Sequence, residues 1–449
     1  MGKLFGTDGI RGVANRSLTC DLAFRTGQAA AISLAKEKNA QPTVVIGMDT
    51  RISSDMLENA LLAGLCSCGC NAVRLGVIPT PAVAYLTLFY HADAGIVISA
   101  SHNPYEYNGI KMFSSEGFKL NDALEEEIEE LILSDQALPT KTHSELGKVV
   151  DGRHASDYYI RHLISTVEDI SDLRVLVDCA NGAASTTAQR LFNRFNIDVN
   201  VINDNPDGIN INDHCGSTHL QMLSERVRAG YYDLGIAFDG DADRCLVVDE
   251  NGQEVDGDKI MAICAKNLRD QGKLKNNGFV ATVMSNLGLH KYCSENALTL
   301  LCAAVGDRNV LEMMQKENMV LGGEQSGHII FLEHMTTGDG QLAALQFLQI
   351  VCRSGQRVSK LAGQIQKYPQ VLINVTAPHD NTEKKAFMNS EGVQDAVRRG
   401  EEALAGDGRI LVRASGTEAL IRVMVEASSE EAARSVAEMV ASTVENLQK

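Results

Sequence analysis

Short β-branched runs alternate with longer amphipathic stretches through most of this chain, and this alternation constrains the fold more than any other feature. It is typical of βαβ units, in which helices cover parallel strands. We predict strands over five ranges: 43–47, 95–98, 173–178, 234–238 and 279–283. The sequence therefore indicates the α/β class, with several similar α/β units.

The chain has 449 residues, which is too long for one hydrophobic core and indicates about three or four domains. From Val371 onward its character changes, with short strands expected near 373–375, 410–412 and 420–426, then a helix after Ser428. We predict four domains: 1–145, 146–252, 253–367 and a smaller α+β domain at 368–449.

The formal net charge of −17 disfavours nucleic acid and anionic membranes as partners. It also means that a phosphorylated ligand needs a site where positive groups or a cation are concentrated. Eleven cysteines without a secretory start indicate a reducing compartment. No apolar run approaches the roughly 20 residues that span a bilayer. We therefore expect a cytoplasmic protein that binds neither nucleic acid nor membrane.

The stretch 95–104 is an apolar run that ends in a polar loop closed by a proline. The loop places the hydroxyl of Ser101 at the mouth of a sheet, where ligands of open α/β folds bind. No Gly-x-Ser-x-Gly motif surrounds Ser101, which disfavours an acyl-transfer nucleophile. Taken alone, the loop also fits an ordinary turn. With the motifs below, we interpret Ser101 as a phosphoryl carrier whose charge requires cations nearby.

Three carboxylates, Asp239, Asp241 and Asp243, follow the predicted strand 234–238 at alternate positions. Hard oxygen ligands in such an arrangement suit Mg²⁺. The segment also partly fits a calcium EF-hand loop, but Arg244 stands at the glycine position and a β-type run precedes it. A purely structural Asp-rich turn is the other alternative. In the metal interpretation, Arg244 would neutralise a phosphate beside the ion.

A small-residue turn follows the strand expected near 410–412. Backbone N–H groups of Ser415, Gly416 and Thr417 can form an anion nest, and Arg413 can add bidentate contacts. An ordinary Ser-Gly turn is the alternative.

The loop 322–328 offers polar groups to a sugar. Glu324 and Ser326 can bind sugar hydroxyls, and His328 is a candidate for proton transfer or phosphate contact. Lys111 and Arg11 are candidate cations for a phosphoserine at position 101.

In their order along the chain, these motifs resemble the α-D-phosphohexomutase superfamily. The match runs from 5–12 to 413–418, essentially the whole chain. The resemblance implies an α/β fold with three related α/β domains, with mixed sheets, and a smaller C-terminal α+β domain around a central cleft.

The resemblance also implies roles for individual residues. Ser101 would carry the phosphoryl group, and its phosphate would complete a site for one Mg²⁺ per chain with Asp239, Asp241 and Asp243. Glu324 and Ser326 would bind the sugar. The other implied groups are catalytic or phosphate-binding: Arg11, Lys111, Arg244, His328, Arg413, Ser415, Gly416 and Thr417.

Finer marks, chiefly Gln325 and the opening motif 5–12, resemble the bacterial branch that isomerises glucosamine phosphates for amino-sugar nucleotide and cell-wall precursor synthesis. The implied partners are a phosphosugar substrate and a priming kinase or bisphosphate donor. Ala419 stands where the family usually has Pro, which should loosen the phosphate loop without removing a ligand. The rivals are a glucose- or mannose-phosphate mutase, a Mg²⁺ phosphatase, and a catalytically idle sugar-phosphate binder.

Overall fold

The computed structural model describes residues 4–6, 8–35, 41–134, 136–168, 170–377, 381–414 and 419–447. The chain forms two compact units. Unit 1 comprises Met1–Met284 and Leu298–Gly363, and unit 2 comprises Ser285–Ala297 and Gln364–Lys449. None of the described helices is both long and apolar enough to cross a membrane.

The first sheet of unit 1 is mixed. Its strands are β1 (Phe5–Gly6), β2 (Gly9–Val13), β3 (Thr43–Met48), β4 (Asn71–Val77), β5 (Ala94–Ile98), β6 (Tyr107–Ser114) and β7 (Val149–Asp151). Their spatial order is β1-β2-β6-β5-β3-β4-β7. The β3 strand pairs in parallel with β4 and β5, whereas β6 runs antiparallel between β5 and β2.

The other two sheets of unit 1 are also mixed. The second contains β8 (Ser171–Asp178), β9 (Asn196–Ile202), β10 (Leu234–Phe238), β11 (Cys245–Asp249) and β12 (Glu254–Val255). The third contains β13 (Gly278–Thr282), β14 (Thr299–Ala303), β15 (Leu321–Gly323) and β16 (Ile329–Phe331). Their orders are β12-β11-β10-β8-β9 and β14-β13-β15-β16.

Unit 2 has one antiparallel sheet of three strands, β17 (Gln370–Thr376), β18 (Gly408–Ala414) and β19 (Leu420–Ala427). The strand β19 lies between β17 and β18. Its buried side chains, such as Val423 and Val425, share a core with Val436 and Val440 from the last helix. This small sheet with helices agrees with the expected α+β terminal domain.

Fifteen α-helices occur in the described part of the chain. They are α1 (Cys20–Ala35), α2 (Ser54–Ser67), α3 (Thr80–Phe89), α4 (Asp122–Leu133), α5 (Ser156–Ser165), α6 (Ala188–Phe192), α7 (Gln221–Gly230), α8 (Gly257–Asp270), α9 (Leu287–Glu295), α10 (Asp307–Lys316), α11 (Gly340–Ser354), α12 (Val358–Ala362), α13 (Asn381–Met388), α14 (Glu391–Leu404) and α15 (Glu430–Asn446). Of these, α9 and α13–α15 belong to unit 2.

All eight predicted strands are present, with ends that differ by up to three residues. Two strands that position the site, β6 and β11, were not predicted. The β6 strand contains Asn108, Gly109 and Lys111, all buried. Ile110 and Met112 belong to the hydrophobic core, but the buried polar residues Asn108 and Lys111 interrupt the apolar run by which a buried strand is recognised in sequence.

Candidate active site

Ser101 lies in the loop that follows the buried strand β5. Its side chain is buried, and its Oγ donates a hydrogen bond of 2.6 Å to Oδ2 of Asp239. Its backbone φ is +52°, a left-handed conformation that is uncommon for residues other than glycine. A Cβ on Gly240 would lie 2.5 Å from the carbonyl oxygen of Ser101, so the two loops can approach this closely only with glycine there.

The three predicted aspartates converge after strand β10. One carboxylate oxygen from each of Asp239, Asp241 and Asp243 lies within 4.8 Å of the others. Burial, reinforced by the other two aspartates, raises the pKa of Asp239 well above its ordinary value. The Oδ1 atoms of Asp241 and Asp243 are buried and accept no hydrogen bond within the described part of the chain. Buried acceptors of this kind are costly unless something binds them, and oxygen donors suit a hard divalent cation.

Lys111 brings one positive charge into the carboxylate cluster from strand β6. Its Nζ lies 2.9 Å from Oδ2 of Asp241, 3.1 Å from Oδ2 of Asp8 and 3.8 Å from Oδ2 of Asp243. Burial alone would lower the pKa of Lys111, but these carboxylates raise it above its ordinary value. Lys111 is therefore a fixed cation and not a base. The hydroxyl of Thr80 donates to the same Oδ2 of Asp241 at 2.7 Å.

Arg244 connects the loop of the three aspartates, residues 239–244, to the loop at 99–104 that contains Ser101, which we call the serine loop. Its backbone N–H donates to Oδ1 of Asp239 at 3.2 Å, and its Nη1 lies 3.1 Å from Nδ1 of His102. That same Nδ1 is 3.5 Å from the Oγ of Ser101. Burial, then the positive charges of Arg244 and Arg11, lower the pKa of His102 to about 4. The sequence contained His102 in the serine loop, but nothing in the motif indicated a contact with Arg244.

The loop 322–328, which was predicted to bind a sugar, lies beside the carboxylate cluster. The Oε1 of Glu324 accepts a hydrogen bond of 3.1 Å from the N–H of Gly306. The Nδ1 of His328 lies 3.6 Å from Oδ2 of Asp243, and its Nε2 accepts from the N–H of Gly338 at 3.2 Å. Ser326 is exposed in this loop and does not line the cavity described next.

A cavity of about 370 Å³ opens beside these groups. Its volume is in the range of small-molecule sites. Four predicted site residues, Arg11, Arg244, Glu324 and His328, line it, together with Asp243. Unit 1 thus brings the serine, the carboxylates and most of the predicted cations to one place.

A second ion-pair network, which the sequence analysis did not identify, borders the cavity. The Nζ of Lys119 lies 2.5 Å from carboxylate oxygens of both Asp8 and Asp307. Asp8 also pairs with Arg11. Burial would raise the pKa of Asp8, but Lys111, Lys119 and Arg11 together lower it well below its ordinary value. Asp8 lies inside the quoted motif 5–12, whereas no sequence signal marked Lys119 or Asp307.

Arg413 lies on β18 in unit 2, half-buried. It stands directly opposite Arg422 on β19. Burial, and then the charge of Arg422, lower the pKa of Arg413. Like charges directly opposite each other on antiparallel strands are destabilising, so negative charge from the chain or from a bound anion is favourable beside such a pair. Ser415, Gly416 and Thr417, the predicted nest, lie outside the described residues.

The sequence matches four domain profiles of one family in consecutive order. They are the phosphoglucomutase/phosphomannomutase α/β/α domain I at residues 2–138, domain II at 157–252, domain III at 256–368 and the C-terminal domain at 372–443. Together they span most of the chain.

Full-length relatives agree with these profiles. The chain is 52% identical over 428 residues to a phosphoglucosamine mutase from Acetivibrio thermocellus, covering 95% of each protein. Two solved structures share the fold. A phosphoglucomutase/phosphomannomutase family protein from Burkholderia thailandensis has a TM-score of 0.83 at 23% identity, covering 99% of this chain and 97% of that one. An N-acetylphosphoglucosamine mutase from Aspergillus fumigatus, in complex with GlcNAc-6P and magnesium, has a TM-score of 0.70 at 18% identity, covering 99% and 96%.

Proposed function

Because the chain belongs to the phosphoglucosamine mutases of the phosphoglucomutase/phosphomannomutase family, we propose that it interconverts glucosamine 6-phosphate and glucosamine 1-phosphate. The reaction supplies precursors of amino-sugar nucleotides and of the cell wall. The observation that carries the site assignment is the hydrogen bond of 2.6 Å between Ser101 and Asp239, because it joins the hydroxyl of the proposed phosphoryl carrier to the carboxylate cluster.

In the forward direction, the phosphoryl group on Ser101 passes to the free hydroxyl of the substrate. The P–Oγ bond breaks as a bond between phosphorus and the sugar oxygen forms, and the proton of that hydroxyl ends on Oγ. The 1,6-bisphosphate then reorients in the site. Ser101 attacks the other phosphoryl group and its proton ends on the sugar oxygen that leaves. Positioning and charge neutralisation carry most of the catalysis in such transfers.

Three cations of this chain serve the transfer. Lys111 stays protonated among Asp241, Asp8 and Asp243, and so provides fixed positive charge beside the reacting phosphoryl group. Arg11 and Arg244 line the cavity and provide donors to phosphate oxygens. His328 lines the same cavity and serves proton transfer or contacts phosphate. Glu324 binds the sugar, and we also place Ser326 in this sugar-binding loop.

We assign one Mg²⁺ to Asp239, Asp241 and Asp243, with the Ser101 phosphate as a further ligand. The orphaned buried oxygens of Asp241 and Asp243 support this assignment, as does the magnesium in the Aspergillus fumigatus complex. When bound, the ion supplies positive charge that offsets the charge of the phosphoryl oxygens.

Arg413, with Ser415, Gly416 and Thr417, is proposed to bind the phosphate that does not react. The like-charged pair on β18 and β19 supports an anion at Arg413. Binding energy from such a remote phosphate can be used to orient the reacting end.

Other parts of the proposal concern the whole protein. We retain the division into domains 1–145, 146–252, 253–367 and 368–449. A kinase or a bisphosphate donor first phosphorylates Ser101. We place the protein in the cytoplasm, which is supported by eleven cysteines that are all free thiols.

One assay tests the function. The purified protein is incubated separately with glucosamine, glucose and mannose 6-phosphates, and 1-phosphate product and inorganic phosphate are measured. We expect the highest kcat/KM for glucosamine 6-phosphate, with residual activity on glucose 6-phosphate. If a neutral sugar phosphate is preferred, the assignment to the glucosamine-phosphate branch is wrong and the protein acts as a phosphoglucomutase/phosphomannomutase. Release of inorganic phosphate alone indicates a phosphatase.

A further inference from the structure

The backbone of Ser101 is held from both sides by one closed circuit of buried hydrogen bonds. Its N–H donates to the Oγ of Ser99 at 2.9 Å, and that hydroxyl donates to Oδ2 of Asp49 at 2.6 Å. The same Oδ2 accepts from Nε of Arg51 at 2.9 Å, and Nη2 of Arg51 donates to the carbonyl oxygen of Ser101 at 2.8 Å. All four residues are buried. The circuit therefore fixes both peptide groups that flank the Ser101 side chain.

Arg51 also holds the residues that follow. Its Nη1 donates to the carbonyls of Asn103 and Pro104 at 3.0 Å each, and its Nη2 donates to Asn103 at 2.9 Å. Asn212 lies between β9 and β10 of the second sheet. Its side-chain amide donates to the carbonyls of Ser101 and Asn103 at 2.9 and 3.2 Å. The serine loop is thus held from two parts of the chain that are far apart in sequence.

The donor count of Arg51 excludes a direct role in phosphate binding. A guanidinium has five N–H donors. One reaches Asp49 and four reach carbonyls of the serine loop. The Arg51 side chain has no exposed surface and does not line the cavity. All five of its donors therefore serve to hold the conformation of the serine loop, and none is left for a phosphate.

We infer that Arg51, assisted by Asn212, is a positioning residue for phosphoryl transfer: it holds Ser101 in its left-handed conformation so that Oγ faces Asp239 and the incoming hydroxyl. The inference rests on the proposed carrier role of Ser101. Transfer breaks the P–Oγ bond while the bond to the sugar oxygen forms, so a displaced Oγ leaves the reacting atoms out of line. Lysine cannot replace Arg51, because a single ammonium cannot reproduce a planar fork to three carbonyls.

The test compares Arg51→Ala, Arg51→Lys and Asn212→Ala with Arg74→Ala, which breaks a salt bridge to Glu58 in the same sheet region. All kinetics are measured below the unfolding temperature that circular dichroism gives for each variant. We expect kcat to fall about 100-fold in both Arg51 variants with little change in KM, since misplacement of about 1 Å has this effect. Asn212→Ala should lower kcat about tenfold on the same argument. Millimolar guanidinium should restore part of kcat to Arg51→Ala and none to Arg74→Ala.

Three results overturn the inference: a folded Arg51→Ala protein with unchanged kcat, a loss confined to KM, or guanidinium that raises the unfolding temperature without raising kcat. If neither Arg51 variant folds, Asn212→Ala decides, and normal kcat there is contrary to the inference. Phosphopeptide mapping of the parent protein separates this from the proposed function. A parent that turns over substrate without phosphate on Ser101 contradicts the proposed function itself. Normal transfer by variants with a normal phosphoserine contradicts only the positioning role.

Discussion

The carboxylate cluster of unit 1 and the arginine pair of unit 2 have opposite local charge. Around Asp239, Asp241 and Asp243, negative groups are buried together, and two carboxylate oxygens accept no hydrogen bond among the described residues. On β18 and β19, by contrast, Arg413 stands opposite Arg422. Each arrangement is unfavourable by itself. The difference supports our two separate proposals, a cation at the carboxylate cluster and an anion at Arg413.

The largest expected effect comes from removing the hydroxyl of Ser101, the proposed phosphoryl carrier beside the carboxylate cluster. Ser101→Ala should abolish mutase turnover, a loss of at least about 10⁴-fold, because it removes the hydroxyl that is proposed to carry the phosphoryl group. Ser165→Ala, an exposed helix-end serine, is the matched control. Steady-state assays with glucosamine 6-phosphate measure both. Substantial turnover by the Ser101 variant would remove Ser101 from the reaction.

Neutralising one carboxylate tests the cation directly. Asp241→Asn should weaken Mg²⁺ binding and lower kcat about 100-fold, because an amide oxygen is a poorer ligand than a carboxylate and Lys111 loses a partner. Calorimetric titration with Mg²⁺ alone measures binding without turnover. Asp198→Asn, in an exposed ion pair with Arg174, controls for the loss of one charge. Equal Mg²⁺ affinity in all three proteins would contradict the metal site.

On the arginine side, Arg413→Ala should lower kcat/KM about 100-fold, equivalent to about 2.7 kcal/mol of transition-state stabilisation. Mg²⁺ affinity should be unchanged, because Arg413 is not part of the carboxylate cluster. Arg398→Ala, on the exposed side of α14, is the control. If Arg413→Ala alters Mg²⁺ affinity as strongly as Asp241→Asn does, the two regions do not have separate roles.

The smallest expected effect on the reaction comes from Asp339, a buried carboxyl group outside the proposed cation site, whose replacement should change the pH dependence of stability. Asp339 accepts hydrogen bonds from the hydroxyl of Tyr159 at 2.9 and 3.0 Å and caps α11 through Leu342. Burial raises its pKa to about 7. A folded pKa above the unfolded one stabilises fully below the unfolded value, and this contribution is lost as the pH rises to about 7.

Asp339→Asn removes that titration and keeps a capping oxygen. Relative to the parent, the variant should therefore gain about 3 kcal/mol of unfolding free energy between pH 4 and 7. Urea unfolding at several pH values measures the difference. Asp256→Asn, at the N-cap of α8, shows what the exchange does at another cap. A difference between Asp339→Asn and the parent that does not change with pH is contrary to this account.

How much of this could be predicted from sequence differs between the two regions. The strands before Ser101 and Asp239 are apolar runs with abrupt polar ends, so both loops were accessible to pattern analysis. Their meeting was implied only by the family resemblance, because the two strands belong to different sheets. The charged residues that complete the site could not be predicted from such patterns. Asp8, Lys119 and Asp307 come from distant segments, and only tertiary packing brings them together.

The Arg51 circuit shows the same limit in another form. The strand before Arg51 was predicted, but the five hydrogen bonds from its buried guanidinium follow from geometry that no spacing rule encodes. In unit 2, the opposition of Arg413 and Arg422 depends on strand register. Register is fixed by the buried side chains of the sheet and cannot be deduced from either arginine alone.

The most direct test of the central claim follows the phosphoryl group itself. Protein labelled with ³²P on Ser101 is mixed with excess unlabelled glucosamine 6-phosphate. The reaction is stopped within the first turnover, and the products are separated. The account predicts that label leaves Ser101 and appears in glucosamine 1,6-bisphosphate and glucosamine phosphates. Label that remains on the protein, or that appears only as inorganic phosphate, would contradict it.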